Sequence, residues 1–178
     1  MNSILRYISI TAATAATVVV SACTQVPVNR SADPTANFVH VSEGLYRGAR
    51  PDEGGLTRLS QMGVRTILNL EDDAGAIENE RRILAQLGMT QVSMPMSGLS
   101  TPDNDQMTET LSILNEKRNY PVFVHCAKGM DRTGVVIALH RVFNQGWSAR
   151  DAEDEMKALG FNTMLDALET YYEQKTGL

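Results

Sequence analysis

The apolar run YPVFVH (residues 120–125) leads directly into HCAKGMDRTG (125–134), and then into a stretch with the apolar character of a helix from about 133 to 143. A buried strand, a short loop and a helix are thus placed in immediate succession. Five residues separate Cys126 from Arg132, in the pattern His-Cys-x-x-Gly-x-x-Arg-Thr-Gly. A loop of this length can curl so that its backbone N–H groups converge on one point, which the helix N-terminus also faces. A phosphate monoester fits such a nest. Gly129 allows the turn without an intruding Cβ. The planar fork of Arg132 can hold two phosphoryl oxygens at once, which a lysine cannot do. Ala127, Lys128, Gly129, Met130, Asp131, Arg132 and Thr133 are therefore read as the phosphate-binding stretch, with Lys128 adding charge at its mouth.

The same field acts on sulfur. A free cysteine titrates near ~8.5, and helix N-termini with nearby cations lower this to roughly 3.5–7.5. Cys126 is accordingly expected as a thiolate that attacks phosphorus and forms a thiophosphate intermediate, with Arg132 and the loop amides stabilising the transferring group. Thr133 is expected to steady the thiolate through its hydroxyl. His125 and Gly134 are expected to support the loop rather than to move protons. A lone buried cysteine is usually inert, and a lone Gly turn before a helix means little. It is the conjunction of residue types at these spacings that is specific.

Composition excludes several other classes. The chain has 178 residues, a net charge of −5, 43% hydrophobic and 21% charged residues, and two cysteines. That is ordinary for one globular core and unlike a disordered chain. A mildly acidic chain lacks the clustered cations that nucleic acid requires. Two cysteines make neither a disulfide framework nor a four-cysteine zinc site.

The other cysteine, Cys23, ends a different feature. Arg6 precedes an uncharged stretch rich in Ala, Thr and Val, the arrangement of a secretory signal over 1–22. Its last residues, Val20-Ser21-Ala22-Cys23, resemble the bacterial lipobox, in which the cysteine is acylated and becomes the mature N-terminus. This predicts a chain held to a membrane by lipid, since multiple acyl chains anchor durably. Thr24 rather than Asp follows, which by resemblance to the enterobacterial sorting rule points to the outer membrane and the periplasm. Residues 23–37 are polar, carry Pro27 and Pro34 and have no strand or helix period, so they read as a tether. The domain is expected over 38–178.

Within it, short apolar runs alternate with helical stripes. Strands are expected near 38–41, 44–48, 64–70, 89–95 and 120–125. Helices are expected near 54–62, 78–87, from Thr101-Pro102 onward, 133–143, 148–159 and 163–174. Such alternation implies an α/β domain, three layers deep, with a central, mostly parallel sheet of four or five strands flanked by helices. Trp147 reads as a packing anchor between the last helices, His40 and His140 as structural, and Arg47 and Arg50 as rim or surface charges.

Here the chain resembles the protein tyrosine phosphatase superfamily, in particular its small, atypical dual-specificity branch. Beyond the loop, LYRGARP (45–51) and GVRTILNL (63–70) are similar to that branch's "LYRSGQP … LGIKTVINL". The resemblance implies a cysteine-dependent phosphatase needing no metal or organic cofactor, acting on phosphorylated protein or a small phosphomonoester. It also implies an aspartate general acid before the preceding helix, in a segment like "PIADGGTP". The matching stretch is Pro95 to Pro102, and Gly98 occupies the aspartate's place. The acid must therefore be argued afresh, and for a phenyl-type leaving group, which needs little acid help, an unassisted mechanism also stays open. Asp103 and Asp105 are candidates, although acids there also suit a helix's first turn. Asp131 is a third candidate, since myotubularin-type lipid phosphatases resemble this chain in carrying an aspartate before the loop arginine. Three rival readings stay open: an inositol-phosphate or phosphoinositide phosphatase, a non-catalytic phosphate-binding module, and a rhodanese-type sulfurtransferase.

Overall fold

The computed structural model describes residues 33–178. The expected signal, the lipobox-like residues with Cys23, and the part of the expected tether up to residue 32 lie outside the described residues. Strands β1 (Val39–Ser42) and β2 (Leu45–Ala49) form an antiparallel hairpin turned at Gly44, whose φ of 70° suits a residue without a side chain. Strands β3 (Thr66–Asn69), β4 (Thr90–Ser93) and β5 (Val122–Cys126) follow, and the five-stranded sheet has the order β1-β2-β5-β3-β4. Every pairing except β1–β2 is parallel.

Side chains alternate across the sheet, and this builds the layers. From β5, Phe123 faces a cluster with Leu56 and Leu59 of helix α1 (Glu53–Gln61) and Leu84 of α2 (Ala74–Leu87). Val122, Val124 and Cys126 face the opposite cluster. Helices α3 (Asn104–Asn115), α4 (Asp131–Gln145), α5 (Ala149–Ala158) and α6 (Asp166–Thr176) bury Met107, Ile137, Met156 and Tyr172 there. Each such fully buried aliphatic or aromatic side chain contributes roughly 1.5–3 kcal/mol. Helix α4, apolar on nearly every side, lies against the sheet with α3, α5 and α6 around it.

Several expectations are corrected. The domain begins before Phe38. Pro34 is buried, Thr35 Oγ1 donates to Ala49 O (3.1 Å), and Ala49 N donates to Ala36 O (2.9 Å). This segment lies so close that a Cβ on Gly55 would stand 2.2 Å from Pro34 O. Helix α2 starts at Ala74 rather than near 78, because Asp73 Oδ1 accepts from Gly75 N and Ala76 N and so supports a first turn that a glycine weakens. The cap of α3 is Asp103, not Thr101. Helix α4 starts at Asp131, two residues earlier than its apolar stripe, and α6 starts at Asp166 after a turn over 163–165. Trp147 is not an internal anchor. It is 38% exposed, and the Arg141 guanidinium carbon stacks 4.2 Å from its ring centroid.

Candidate active site

The chain leaves β3 for α2 on one face of the sheet and leaves β5 for α4 on the other. Ligands in parallel α/β sheets sit at the carboxyl ends of strands where the connections part in this way. The motif from His125 to Gly134 occupies that position. Cys126 is the last residue of β5, paired in register with Ala49 of β2, and its side chain is 2% exposed.

What shapes the loop is the destination of its carbonyl groups. Ala127 O accepts from Arg50 N (3.3 Å), and Lys128 O accepts from Asn37 Nδ2 (2.9 Å). Gly129 O and Met130 O accept from Arg47 Nη2 at 2.7 and 3.4 Å. Four successive carbonyls are thereby held from β2, the residue that follows it and the N-terminal segment. Among the described residues, no acceptor pairs with the N–H groups of Ala127 to Met130, and α4 starts without a side-chain cap. The result is a ring of free donors at the positive end of a 15-residue helix. Gly129 has φ 71°, and a Cβ there would meet Gly48 C and O at 2.1 Å. The loop is pressed onto the end of β2.

Arg47 was read from sequence as a rim or surface charge; the structure buries it at 1% exposed behind the loop. Burial pushes its guanidinium down to about 10, against the opposing pull of Glu155 and Cys126, so it remains cationic at neutral pH. Arg50 is turned away from the loop mouth by Glu71, with Nε–Oε1 at 2.7 Å and Nη2–Oε2 at 2.5 Å. Glu71 is 2% exposed and also lies 3.7 Å from His125 Nδ1. His125 is fully buried, with Nε2 2.8 Å from Glu80 Oε1, a contact poorly aligned for a hydrogen bond. Burial alone would raise the Glu80 carboxyl, but His125, Gln91 and Asn69 outweigh it and hold that group below its usual range. His125 thus braces β5 against β3 and α2, two carboxylates deep.

Arg132 lies in the first turn of α4 and reaches across to the β3 side. Its Nη1 contacts Asp72 Oδ1 at 2.9 Å, Met96 O at 3.0 Å and Leu70 O at 3.3 Å. Gly98 passes over the same guanidinium, and a Cβ there would stand 3.9 Å from Nε. Of the expected acids, Asp103 is occupied as the α3 cap, its Oδ1 accepting from Gln106 N at 2.9 Å. Asp131 Oδ1 accepts from Asn162 N at 2.9 Å, which ties α4 to the α5–α6 connection. Asp105 lies exposed in the first turn of α3. Thr133 Oγ1 is buried and makes no hydrogen bond, to Cys126 Sγ or to any other described atom. Gly134 lets α4 approach α5, since a Cβ there would meet Met156 Cγ at 3.1 Å. Lys128 is exposed beside the loop.

Sequence reasoning missed Asn37, Glu71, Asp72 and Glu80. The run Glu71-Asp72-Asp73 directly after a buried strand was a usable signal, because it places acids at a carboxyl end of the sheet. A group of carboxylates elsewhere, Glu153, Glu169 and Glu173, is bridged by Lys157 Nζ, at 2.7 Å from Glu153 and 2.9 Å from Glu169.

Comparison with known proteins places this geometry. The chain is 30% identical over 132 residues to the dual specificity protein phosphatase TpbA of Pseudomonas aeruginosa, covering 74% of this chain and 58% of TpbA. The chain therefore spans less than two thirds of that relative's length. A crystal structure of P. aeruginosa TpbA in complex with phosphotyrosine superposes with a TM-score of 0.64 at 27% identity, covering 79% of this chain and 85% of that one. The core catalytic domain of the PP-IP phosphatase SIW14 from Saccharomyces cerevisiae, in complex with citrate, gives 0.68 at 26% identity, covering 80% and 89%. A family model described as the tyrosine phosphatase family matches residues 34–173, nearly all of the described domain, and the chain belongs to that family.

Proposed function

We propose that the protein is a cysteine-dependent phosphatase that hydrolyses phosphomonoesters through a thiophosphate on Cys126. The observation that carries this reading is the turning-out of four successive loop carbonyls, which leaves the amides of Ala127 to Met130 free above Cys126. Donors fixed in advance around a phosphoryl group are worth most where little water competes. In the proposed reaction the Cys126 Sγ attacks phosphorus as the leaving oxygen departs. Arg132 and the amides hold the equatorial oxygens, and water then cleaves the S–P bond. Arg47 and Asn37 keep the carbonyls out of the way, and His125 fixes the strand end on which the sulfur sits.

Phosphotyrosine-bearing protein is the substrate class proposed first. TpbA is named as a dual specificity protein phosphatase, and its phosphotyrosine complex shares this fold. A second reading, a polyphosphorylated inositol, is favoured by the likeness to the PP-IP phosphatase SIW14 and by exposed Lys128. Against it, Asp72 contacts Arg132 directly and Arg50 is already paired with Glu71, so few uncompensated cations surround the loop. Acylation of Cys23 and a position at the outer membrane, facing the periplasm, are proposed from the lipobox resemblance of residues 20–23.

The test is hydrolysis of an aryl phosphate by the wild type, Cys126→Ser and Arg132→Lys. Wild-type turnover that both variants abolish or cripple supports the proposal. A wild type that binds phosphate but is as inert as the variants would establish a binding module instead. Preference between a phosphotyrosine peptide and an inositol polyphosphate then decides the substrate class.

A further inference from the structure

The reaction needs a group that gives a proton to the leaving oxygen. Of the acids expected from sequence two are engaged elsewhere, and the third, Asp105, lies exposed in the first turn of α3 and makes no ion pair with Arg132. Gly98 has no side chain, Asp103 Oδ1 caps α3, and Asp131 Oδ1 holds Asn162 N. Asp72 is differently placed. Its Oδ1 lies 2.9 Å from Arg132 Nη1, and it is the one carboxylate among the described residues that contacts that guanidinium. Its side chain is 57% exposed, whereas Cys126 is buried at 2%.

The residues on either side pin it. Glu71 N donates to Asn69 Oδ1 (2.8 Å) while the Glu71 carboxylate grips Arg50, and Asp73 caps α2. Asp72 is therefore a short side chain on a backbone fixed at both neighbours, the preorganisation that acid–base groups require.

We propose that Asp72 is the general acid and base of the reaction, a reading that rests on the phosphatase function proposed above. The charged groups around it are Arg132 from α4, Glu71 and Asp73 on its own segment, and Arg50 beyond Glu71. Asp72, Leu70 and Met96 all engage Nη1 of Arg132, which leaves Nε and Nη2 for an arriving phosphate dianion with Asp72 beside it. In the first step Sγ forms its bond to phosphorus, the P–O bond to the leaving group breaks, and the Asp72 proton passes to that oxygen. In the second step the Asp72 carboxylate takes a proton from water as its oxygen bonds to phosphorus. The S–P bond breaks, and the products are inorganic phosphate, the Cys126 thiolate and a protonated Asp72.

The experiment compares wild type with Asp72→Asn on 4-nitrophenyl phosphate, whose leaving group needs little protonation, and on phenyl phosphate, whose leaving group needs more. Thermal unfolding of both proteins checks that the half-exposed site tolerates the change. Asp72→Asn is expected to lose about 100- to 10,000-fold in kcat on phenyl phosphate, far less on 4-nitrophenyl phosphate, and to lose the alkaline limb of the kcat–pH profile. Equal losses on both substrates with the alkaline limb intact would overturn the proposal and leave Asp72 as an orienting partner of Arg132. So would no loss on either, or a leaving-group dependence that follows Asp131→Asn or Asp103→Asn instead. A wild type that cannot hydrolyse 4-nitrophenyl phosphate at all marks failure of the phosphatase reading itself. An active wild type with Asp72→Asn unaffected marks failure of the Asp72 assignment alone.

Discussion

Gly129→Ala perturbs the loop at its tightest point, and Gly63→Ala supplies the reference. Both glycines have positive φ, 71° and 84°, so both replacements incur the left-handed penalty of roughly 1–2 kcal/mol. They differ in surroundings. A Cβ on Gly63 meets nothing within 4 Å, whereas one on Gly129 would meet Gly48 C and O at 2.1 Å and Ala49 N at 2.5 Å. Those atoms are backbone in a strand paired to β5, so they cannot turn aside as a side chain would. Relieving such overlap typically costs a further ~1–3 kcal/mol. For a domain of this size 1 kcal/mol shifts Tm by roughly 4 °C. Gly63→Ala should then lower Tm by about 4–8 °C, and Gly129→Ala by a further ~4–12 °C. Differential scanning calorimetry measures both, with and without inorganic phosphate. Saturating phosphate at a hundred times its Kd should raise stability by about 2.7 kcal/mol in the wild type. It should do the same for Gly63→Ala and little for Gly129→Ala, whose loop can no longer close on β2. Equal Tm losses, or full phosphate stabilisation of Gly129→Ala, would refute the claim that loop and strand meet this closely.

Arg47→Met keeps much of the volume but strips the donors from Gly129 O and Met130 O; leaving buried carbonyls unpaired should cost about 1–3 kcal/mol in urea unfolding, and inhibition by inorganic phosphate should weaken with it. A chain starting at residue 38 should be about 3 kcal/mol less stable in urea unfolding than one starting at 33, because it lacks the hydrogen bonds of Thr35, Ala36 and Asn37 at roughly 1 kcal/mol each. His140 is 3% exposed, and burial pushes its imidazole down to about 4 although Asn144 opposes the shift. Unfolded histidine takes its proton near ~6.5, so below that pH the unfolded state binds more protons. This contribution is full above the unfolded value, and about 2–3 kcal/mol of it is lost as pH falls toward 4. Tm measured from pH 7 to 4.5 should show the decline, and His140→Gln should flatten it; an equally steep decline in that variant would contradict the assignment.

The parts of this molecule that announce themselves in sequence are those in which residue type and spacing carry the physics locally. The strand-loop-helix around Cys126 is one, and the alternation of Val122, Phe123 and Val124 across the sheet is another. Helix starts were harder, because Asp73 and Asp103 cap through single hydrogen-bonding oxygens that an apolar stripe does not mark. The supports of the site were hardest. Arg47 and Asn37 reach the loop across 82 and 91 residues of sequence, and Arg132 reaches Asp72 across 60. Such contacts exist only once β2, β5 and β3 are side by side. An arginine in a short strand looks like a surface charge until the strand beside it is known.

The central claim is that the sulfur of Cys126 carries the phosphoryl group between the two half-reactions. Mixing the protein with 4-nitrophenyl phosphate, quenching in acid within a turnover and mapping the peptides by mass spectrometry tests it directly. The account predicts a phosphoryl adduct on the peptide containing Cys126, absent from Cys126→Ser and accumulating in Asp72→Asn, where water is no longer activated. A Cys126→Ser protein that still hydrolyses the ester at the wild-type rate, or a phosphoryl group found on another residue, would contradict it.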